Sequence, residues 1–229
     1  MTAARIDRAS NFTLQRTMGS RCSPPAAERG RYTVRGWSTD MEIMTRRLLL
    51  RDFTEVERPG FIAYHADPRY LALAGPNEED PKHSQRLFQT FRDWTSEQPR
   101  RNYQLAILQR QEPQTLVGCC GLRGAGCEVG KAELGIEFAP DYWARHGYAI
   151  EVGRALLEFG FGDLGLQEIY GVTVDANARV ARLAEWFGAE AVATRPGAAW
   201  MSARGWNETE WRITRDQWRR RGRITPRWT

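Results

Sequence analysis

The stretch FAPDYWARHGYA, residues 138–149, joins a strand to a helix through a short loop. Before the loop, alternating apolar and polar residues predict a strand over Lys131–Phe138, which Pro140 ends. After the loop, apolar residues spaced three or four apart predict a helix from Tyr148 to about Gly162. Together these patterns predict a strand–loop–helix unit over residues 131–162.

Gly147 stands immediately before the predicted helix. The first turn of a helix presents backbone N–H groups that the helix itself does not bond, together with the positive end of the helix dipole. An anion such as a phosphate is the natural ligand there, and Arg145 and His146 would add side-chain donors. The alternative is that Gly147 only forms the turn.

The flanking sequence predicts an α/β domain in which helices and strands alternate after an initial helical part. Upstream, the patterns predict a strand near Leu48–Phe53, helices opening at Thr54 and at Asp80–Pro81, and a hairpin of Tyr103–Gln109 with Thr115–Leu122. Downstream, they predict a strand over Gln167–Val174, a helix over 178–187 that Gly188 closes, an irregular stretch from Thr194 to Asn207, and a last strand over Glu208–Thr214.

The net charge of +5 is distributed unevenly along the 229 residues. Residues 1–40 carry +4 and residues 212–229 carry +6, so the body between them carries −5. The predicted helices of the body carry no basic stripe, which argues against nucleic acid as a partner, and the acidic body favours a cationic partner. We predict a disordered N-terminal extension at 1–40, one domain at 41–218 and a basic C-terminal tail at 219–229.

Several classes of protein are excluded by composition. No apolar run is long enough to span a membrane and no secretory leader is visible, so we expect a cytoplasmic protein, monomeric or homodimeric, that does not bind a membrane. The four cysteines form no CxxC pair, and the histidines have no second ligand at metal spacing. The sequence predicts neither a disulfide framework nor a metal site.

Three segments in the same order resemble the GNAT N-acetyltransferases. Residues Ala144–Ala149 resemble the acyl-CoA loop of that family, and Ile169–Asn177 followed by Arg182–Ala189 resembles its next strand, asparagine and helix. Thr45–Arg51 is similar to the opening strand of the RimJ/RimL branch, which acetylates the N-termini of ribosomal proteins. The resemblance covers roughly residues 44 to 220.

This resemblance implies a GNAT fold, in which a mixed, mostly antiparallel sheet is flanked by helices and two splayed strands hold acyl-CoA. The implied activity is direct transfer of an acetyl group from acetyl-CoA to an amine, without a metal. The residues implied in cofactor binding are Phe138, Ala139, Arg145, His146, Gly147, Tyr148, Ala149 and Asn177.

Two carboxylates on one face of the strand at 131–138 are candidates for the general base. An amine with a pKa of about 8 to 10 is mostly protonated at neutral pH, so its proton needs an acceptor. Glu133 lies fourteen positions before Gly147, a spacing that several GNAT enzymes use for this residue, and Glu137 is the second candidate. The alternative is that both acids line the strand face without titrating.

The chain departs from the family pattern at two positions. Ala144 stands where the loop usually has Gln or Arg, and Val180 stands where the branch usually has Ser. The helix at 178–187 also lacks the tyrosine that protonates the thiolate in many relatives. A non-catalytic module that binds acyl-CoA is therefore an alternative to the enzyme.

The resemblance makes a protein N-terminal α-amine the first expected acceptor and a small-molecule amine, of polyamine or aminoglycoside type, the second. Trp200 and Trp206 lie in the predicted irregular stretch and are candidates to line the acceptor pocket.

Overall fold

The computed structural model describes residues 33–35, 41–143 and 147–224, with side chains placed from 41 to 221 outside the gap. The predictions for Arg145 and His146, for most of the N-terminal extension and for residues 225–229 lie outside these ranges.

In the ranges that the structure describes, nine strands form a single sheet. They are β1 (Thr33–Arg35), β2 (Glu42–Met44), β3 (Leu48–Asp52), β4 (Asn102–Gln109), β5 (Leu116–Arg123), β6 (Lys131–Phe138), β7 (Glu168–Val174), β8 (Glu190–Pro196) and β9 (Asn207–Thr214). Their order across the sheet is β1-β2-β3-β4-β5-β6-β7-β9-β8. Every neighbouring pair is antiparallel except β6 and β7, which are parallel.

Seven α-helices accompany the sheet in the described part of the chain. They are α1 (Arg58–His65), α2 (Pro68–Leu71), α3 (Pro81–Trp94), α4 (Tyr148–Gly162), α5 (Ala178–Phe187), α6 (Ala199–Ser202) and α7 (Arg215–Ile224). Local chemistry sets their ends: the Asp80 carboxylate accepts the Lys82 N–H (2.9 Å) at the start of α3, and Gly188 closes α5 in the left-handed conformation.

Two apolar layers lie on opposite faces of the sheet. On one face, α4 buries Val152, Leu156 and Phe159 against the strands. On the other face, α1–α3 bury an aromatic cluster that includes Phe61, Phe88 and Phe91. We call these the α4 face and the α1 face of the sheet. The predicted fold, a mostly antiparallel mixed sheet flanked by helices, is confirmed.

The prediction of an irregular stretch over Thr194–Asn207 was wrong. Residues Glu190–Pro196 form β8 and Ala199–Ser202 form the short helix α6. Strand β8 is an exposed edge strand, so it buries neither face and shows no apolar alternation that the sequence could reveal.

Regular structure also extends beyond the predicted domain bounds at both ends. Three residues of the predicted extension, Thr33–Arg35, form β1 and pair with β2. Helix α7 runs from Arg215 to Ile224 and so crosses the boundary predicted at residue 218. Its Trp218 packs against Phe187 of α5, with ring centroids 6.2 Å apart, which explains why the helix is held against the domain.

Candidate active site

Strands β6 and β7 separate part of the way along their length. They pair at Lys131↔Glu168, Ala132↔Ile169 and Glu133↔Tyr170, and both continue beyond this point without pairing to each other in the described strands. Strand β7 keeps its partner β9 as far as Val174. The predicted splayed pair is therefore present, with its opening toward the carboxyl ends of β6 and β7.

The backbone of β6 presents hydrogen-bonding groups to this gap. The Ala139 N–H donates to the Val117 carbonyl (2.9 Å), so Ala139 faces β5. Because successive residues of a strand point their N–H and C=O groups to opposite sides, Phe138, Ile136 and Leu134 face the gap. At Phe138 the carbonyl oxygen already accepts a hydrogen bond from the Trp143 indole N–H (2.7 Å). The backbone N–H of Phe138 is therefore the group that this residue directs at the gap.

A cavity of about 130 Å³ occupies the gap and reaches both faces of the sheet. On the α4 face it is walled by apolar residues of α4 and α5, among them Leu157 and Val180. On the α1 face it is bordered by Arg123, Glu133 and Tyr170. The cavity therefore connects two sides of the sheet from which two different substrates could approach.

The N-terminus of α4 lies beside the carboxyl end of β6. Gly147 precedes the helix with φ of +65°, a left-handed conformation that glycine adopts without strain. The first helical hydrogen bond runs from the Glu151 N–H to the Gly147 carbonyl (3.2 Å), which leaves the N–H groups at positions 148–150 outside the helix's own bonding. Backbone N–H groups exposed in this way can bind an anion, so the geometry is compatible with the predicted anion site, which stays a prediction.

Arg47, which the sequence analysis did not single out, lies at this site. Its Nη2 is 3.9 Å from the position that a Cβ on Gly147 would occupy, and its guanidinium lies over the Tyr148 ring (4.8 Å). Its Nε pairs with the Glu151 carboxylate (2.8 Å). No sequence signal identified Arg47, because it reaches the helix from the turn between β2 and β3, a hundred residues away.

Glu151 fixes the orientation of Arg47. The carboxylate accepts hydrogen bonds from the Thr45 hydroxyl (2.7 Å) and from the Arg47 N–H (2.8 Å). Burial alone would raise the pKa of Glu151, but these hydrogen bonds and the Arg47 guanidinium hold it below its ordinary value. Glu151 is therefore an anion that holds Arg47 in place.

The other residues predicted to bind the cofactor differ in which of their groups could reach a ligand. The side chains of Phe138, Ala139 and Tyr148 are buried in the two apolar layers, and Ala149 packs against the layer on the α4 face, so only backbone groups at these positions can reach a ligand. Ala139 is turned away, because its N–H bonds β5. Asn177 caps α5 by accepting the Val180 N–H (3.3 Å).

Glu133 and Glu137 project from the α1 face of β6, as predicted, but their surroundings differ. They are four residues apart, which corresponds to about 13 Å along a strand. Glu133 lies 3.4 Å from Arg123, so its charge is balanced by a guanidinium. The same guanidinium lies over Gly135, where a Cβ would come within 2.9 Å of it.

Glu137 lies in a buried polar cluster between β6 and the first two helices, which we call the Glu137 cluster: Tyr64, His65, Tyr70, Cys119 and Glu137. The Tyr64 hydroxyl donates to Oε1 (2.5 Å) and the Tyr70 hydroxyl donates to Oε2 (3.1 Å). The Cys119 thiol donates to Oε1 (3.5 Å). Glu137 itself is only 8% exposed.

Burial sets the protonation of the donors in this cluster. It raises the pKa of the Tyr64 and Tyr70 hydroxyls well above the ordinary value for tyrosine, and the nearby Glu137 charge adds to the effect. Burial also raises the pKa of the Cys119 thiol. All three groups therefore keep their protons at neutral pH and act as donors to Glu137.

Trp200 and Trp206 lie together at the edge of the α1 face. Their rings meet edge to face with centroids 6.3 Å apart, and the Arg204 guanidinium lies 5.3 and 5.2 Å from the two rings. Trp200 packs on Gly75, and Arg204 donates to the Ala74 carbonyl (3.2 Å). These contacts join the β8–β9 connection to the segment after α2.

Two kinds of feature are absent from the described residues, a membrane-spanning helix and a metal-binding group. No described helix has the length and apolarity needed to cross a membrane. No group of three or more His, Cys, Asp or Glu side chains in the described ranges is arranged to hold a metal ion.

Comparison with known proteins identifies the family. The acetyltransferase (GNAT) domain profile matches residues 47–190. The chain is 30% identical over 142 residues to the uncharacterized N-acetyltransferase YoaA of Bacillus subtilis, which covers 61% of this chain and 77% of YoaA.

Solved structures agree in fold. A chimera of spermidine N-acetyltransferase SpeG from Vibrio cholerae and hSSAT superposes with a TM-score of 0.61 at 18% identity, covering 75% of this chain and 97% of the other. A candidate ribosomal-protein-serine acetyltransferase from Vibrio cholerae superposes with a TM-score of 0.57 at 22% identity, covering 76% and 97%. The chain belongs to the GNAT family and is an acyl-CoA-dependent acetyltransferase.

Proposed function

We propose that this protein transfers an acetyl group from acetyl-CoA to a primary amine, and that the pantetheine arm of acetyl-CoA binds in the gap between β6 and β7. The observation that carries this proposal is the gap itself, where β6 turns the backbone groups of Leu134 and Ile136 toward a mostly apolar cavity and those of Phe138 toward the open end of the gap. Pantetheine carries two amides and an otherwise apolar chain, so it matches both features.

The diphosphate of acetyl-CoA would bind at the N-terminus of α4. Gly147 brings the backbone close to the ligand, and the first-turn N–H groups supply donors. Arg47 supplies a positive charge, and its Nη2 is directed toward Gly147. Arg145 and His146 remain predicted contributors, and we propose that Asn177 bonds pantetheine in addition to capping α5.

Replacing Arg47 with alanine is expected to weaken acetyl-CoA binding about tenfold, because a charge-assisted hydrogen bond to phosphate is lost and Glu151 is left unbalanced beside the anion. Calorimetric titration measures the effect. Arg46→Ala, at the exposed neighbouring position, is the matched control and should bind normally. Adding Glu151→Gln to Arg47→Ala should recover part of the loss. Equal affinities for the two arginine variants would remove Arg47 from the site.

The catalytic step requires a neutral amine on the α1 face, next to the thioester. The acetyl group supplied by acetyl-CoA becomes more electrophilic when its carbonyl oxygen accepts a hydrogen bond, and the Phe138 N–H is the proposed donor. We assign the general base to Glu137, because it directly precedes Phe138 on the α1 face of β6. In addition, no arginine balances the charge of Glu137 in the described residues, whereas Arg123 balances that of Glu133. Helix α5 has no tyrosine, so we assign protonation of the thiolate to water.

We propose a protein N-terminal α-amine as the acceptor, in keeping with the RimJ/RimL resemblance and the ribosomal-protein acetyltransferase among the similar structures. The charges on the α1 face support this choice over a polyamine, which would need several unbalanced carboxylates. Glu208 and Glu210 pair with Arg195 (2.8 and 3.1 Å), and Glu168 pairs with Lys131 (3.4 Å). A single α-amine needs only one acceptor.

The test is a screen of thiol release from acetyl-CoA with peptides, polyamines and aminoglycosides as acceptors. We expect turnover with peptides that have a free N-terminus and none with the same peptides blocked by acetylation. Faster turnover with spermidine would favour the polyamine reading, which the similarity to spermidine N-acetyltransferase supports. Tight binding of acetyl-CoA without turnover on any amine would favour the non-catalytic module.

A further inference from the structure

His65 is buried beside Glu137, and one of its ring nitrogens lacks a hydrogen bond. The residue is 4% exposed, and its ring packs on Phe61, Tyr64 and Tyr70. Its Nε2 lies 3.2 Å from Glu137 Oε1 but is not aligned for a hydrogen bond, and it has no other partner in the described part of the chain. A buried polar atom without a partner is costly in a protein interior, so it calls for a functional explanation.

The other ring nitrogen fixes the tautomer. Nδ1 lies 2.9 Å from the Phe61 carbonyl oxygen, an acceptor only, so Nδ1 must carry a proton. In the neutral ring, Nε2 then has no proton, and its lone pair faces the Glu137 carboxylate. Two acceptors at this distance repel each other, and a proton placed between them removes the repulsion.

The remaining groups that face His65 do not compete for that proton. Tyr64 on α1, Tyr70 on α2 and Cys119 on β5 all donate to Glu137 and retain their own protons, and the charge of Glu78 acts on Tyr70. Within the described residues, His65 is the basic side chain that Glu137 approaches. The Glu137 carboxylate is already stabilised by three donors, whereas the His65 lone pair has none.

We propose that His65 is the proton-holding partner of Glu137: the proton that leaves the acceptor amine reaches Nε2 of His65 through the Glu137 carboxylate. His65 acts through Glu137 and does not touch the substrate. The inference rests on the proposed function, because it assumes that Glu137 receives the proton of the amine.

The proton balance of the reaction is then complete. The incoming ammonium gives one proton to Glu137 and His65 and becomes a nucleophile. Its lone pair forms the C–N bond, the C–S bond breaks, and the second amine proton is released while the departing thiolate takes a proton through water. His65 finally returns its proton to solvent, so each turnover releases one proton overall.

The first test compares the pH profile of kcat/KM in wild-type protein and in His65→Gln, which keeps a polar side chain but cannot hold the proton. We expect the fall in activity on the acid side to change its position and shape, with kcat reduced about tenfold or more. Acetyl-CoA affinity should be unchanged, because His65 lies away from the gap. His83→Gln on α3 is the matched control and should keep the wild-type profile. A wild-type profile in His65→Gln would overturn the proposal.

A second test needs no turnover and so separates this proposal from the proposed function. The chemical shift of His65 Cε1–H is followed by NMR through a pH titration in wild-type protein and in Glu137→Gln. If the two groups share a proton, the His65 titration moves to lower pH when the carboxylate is removed. Identical titration curves would overturn the pairing, whereas shifted curves with no acetylation of any amine would leave the pairing in place and count against the proposed function.

Discussion

Replacing Glu137 with glutamine is expected to lower the turnover of acetyl-CoA by about 100- to 1,000-fold, the contribution that general bases commonly make. Glutamine has nearly the same shape and keeps an oxygen that can accept the Tyr64 hydroxyl, but it cannot take a proton from the amine. Its amide nitrogen faces Tyr70, whose hydroxyl can rotate to accept. Acetyl-CoA affinity should stay within about twofold, since the proposed binding contacts come from backbone groups and from α4.

The matched control is Glu133→Gln, on the same face of the same strand. Because Arg123 balances Glu133, this change should cost less than tenfold in turnover and should act mainly by removing the carboxylate partner of Arg123, which keeps its hydrogen bond to Gln104 (3.3 Å). Initial rates of thiol release at saturating acetyl-CoA, with melting temperatures measured in parallel, compare the two variants. A larger loss in Glu133→Gln than in Glu137→Gln would transfer the base to Glu133, the residue that spacing from Gly147 favours.

The sequence predicted the parts of the site that lie close together along the chain. Strand β6, the loop after it and helix α4 occupy one continuous segment, and their signals are local: alternation, a proline stop, a glycine and a helical repeat. Strands from Asn102 to Thr214 were placed to within about two residues where they bury a face. Edge strand β8 was missed because it buries none.

The surroundings of the two glutamates could not be predicted in the same way. Spacing places Glu133 and Glu137 on one face equally well. The two glutamates differ in their neighbours. Glu133 pairs with Arg123 of β5. Glu137 contacts Tyr64, His65 and Tyr70 of α1 and α2, which lie about seventy residues before it in the sequence. His65 has no motif of its own, and only the packing of α1 against β6 shows that its ring faces a carboxylate.

Replacing Gly147 with valine is expected to reduce acetyl-CoA affinity by more than about 100-fold. Two effects combine. A β-branched residue at φ of +65° is strained by about 1–3 kcal/mol, so the first turn of α4 shifts. Of the described residues, a Cβ at this position meets Arg47 Nη2 alone, at 3.9 Å, so the valine side chain would project into the space that we assign to the diphosphate.

Gly126→Val separates these two effects. Gly126 lies in the turn between β5 and β6 with φ of +76°, and a Cβ there meets no atom of the described residues within 4 Å, so the variant carries similar backbone strain without blocking the proposed site. Both variants should lose a similar amount of thermal stability. Saturating acetyl-CoA should then raise the melting temperature of Gly126→Val as it does that of wild-type protein, because a ligand that binds only the folded state stabilises it. Gly147→Val should show no such rise and no heat of binding. If both variants bind equally well, the diphosphate lies elsewhere, and the roles assigned to Arg47 and the N-terminus of α4 fail with it.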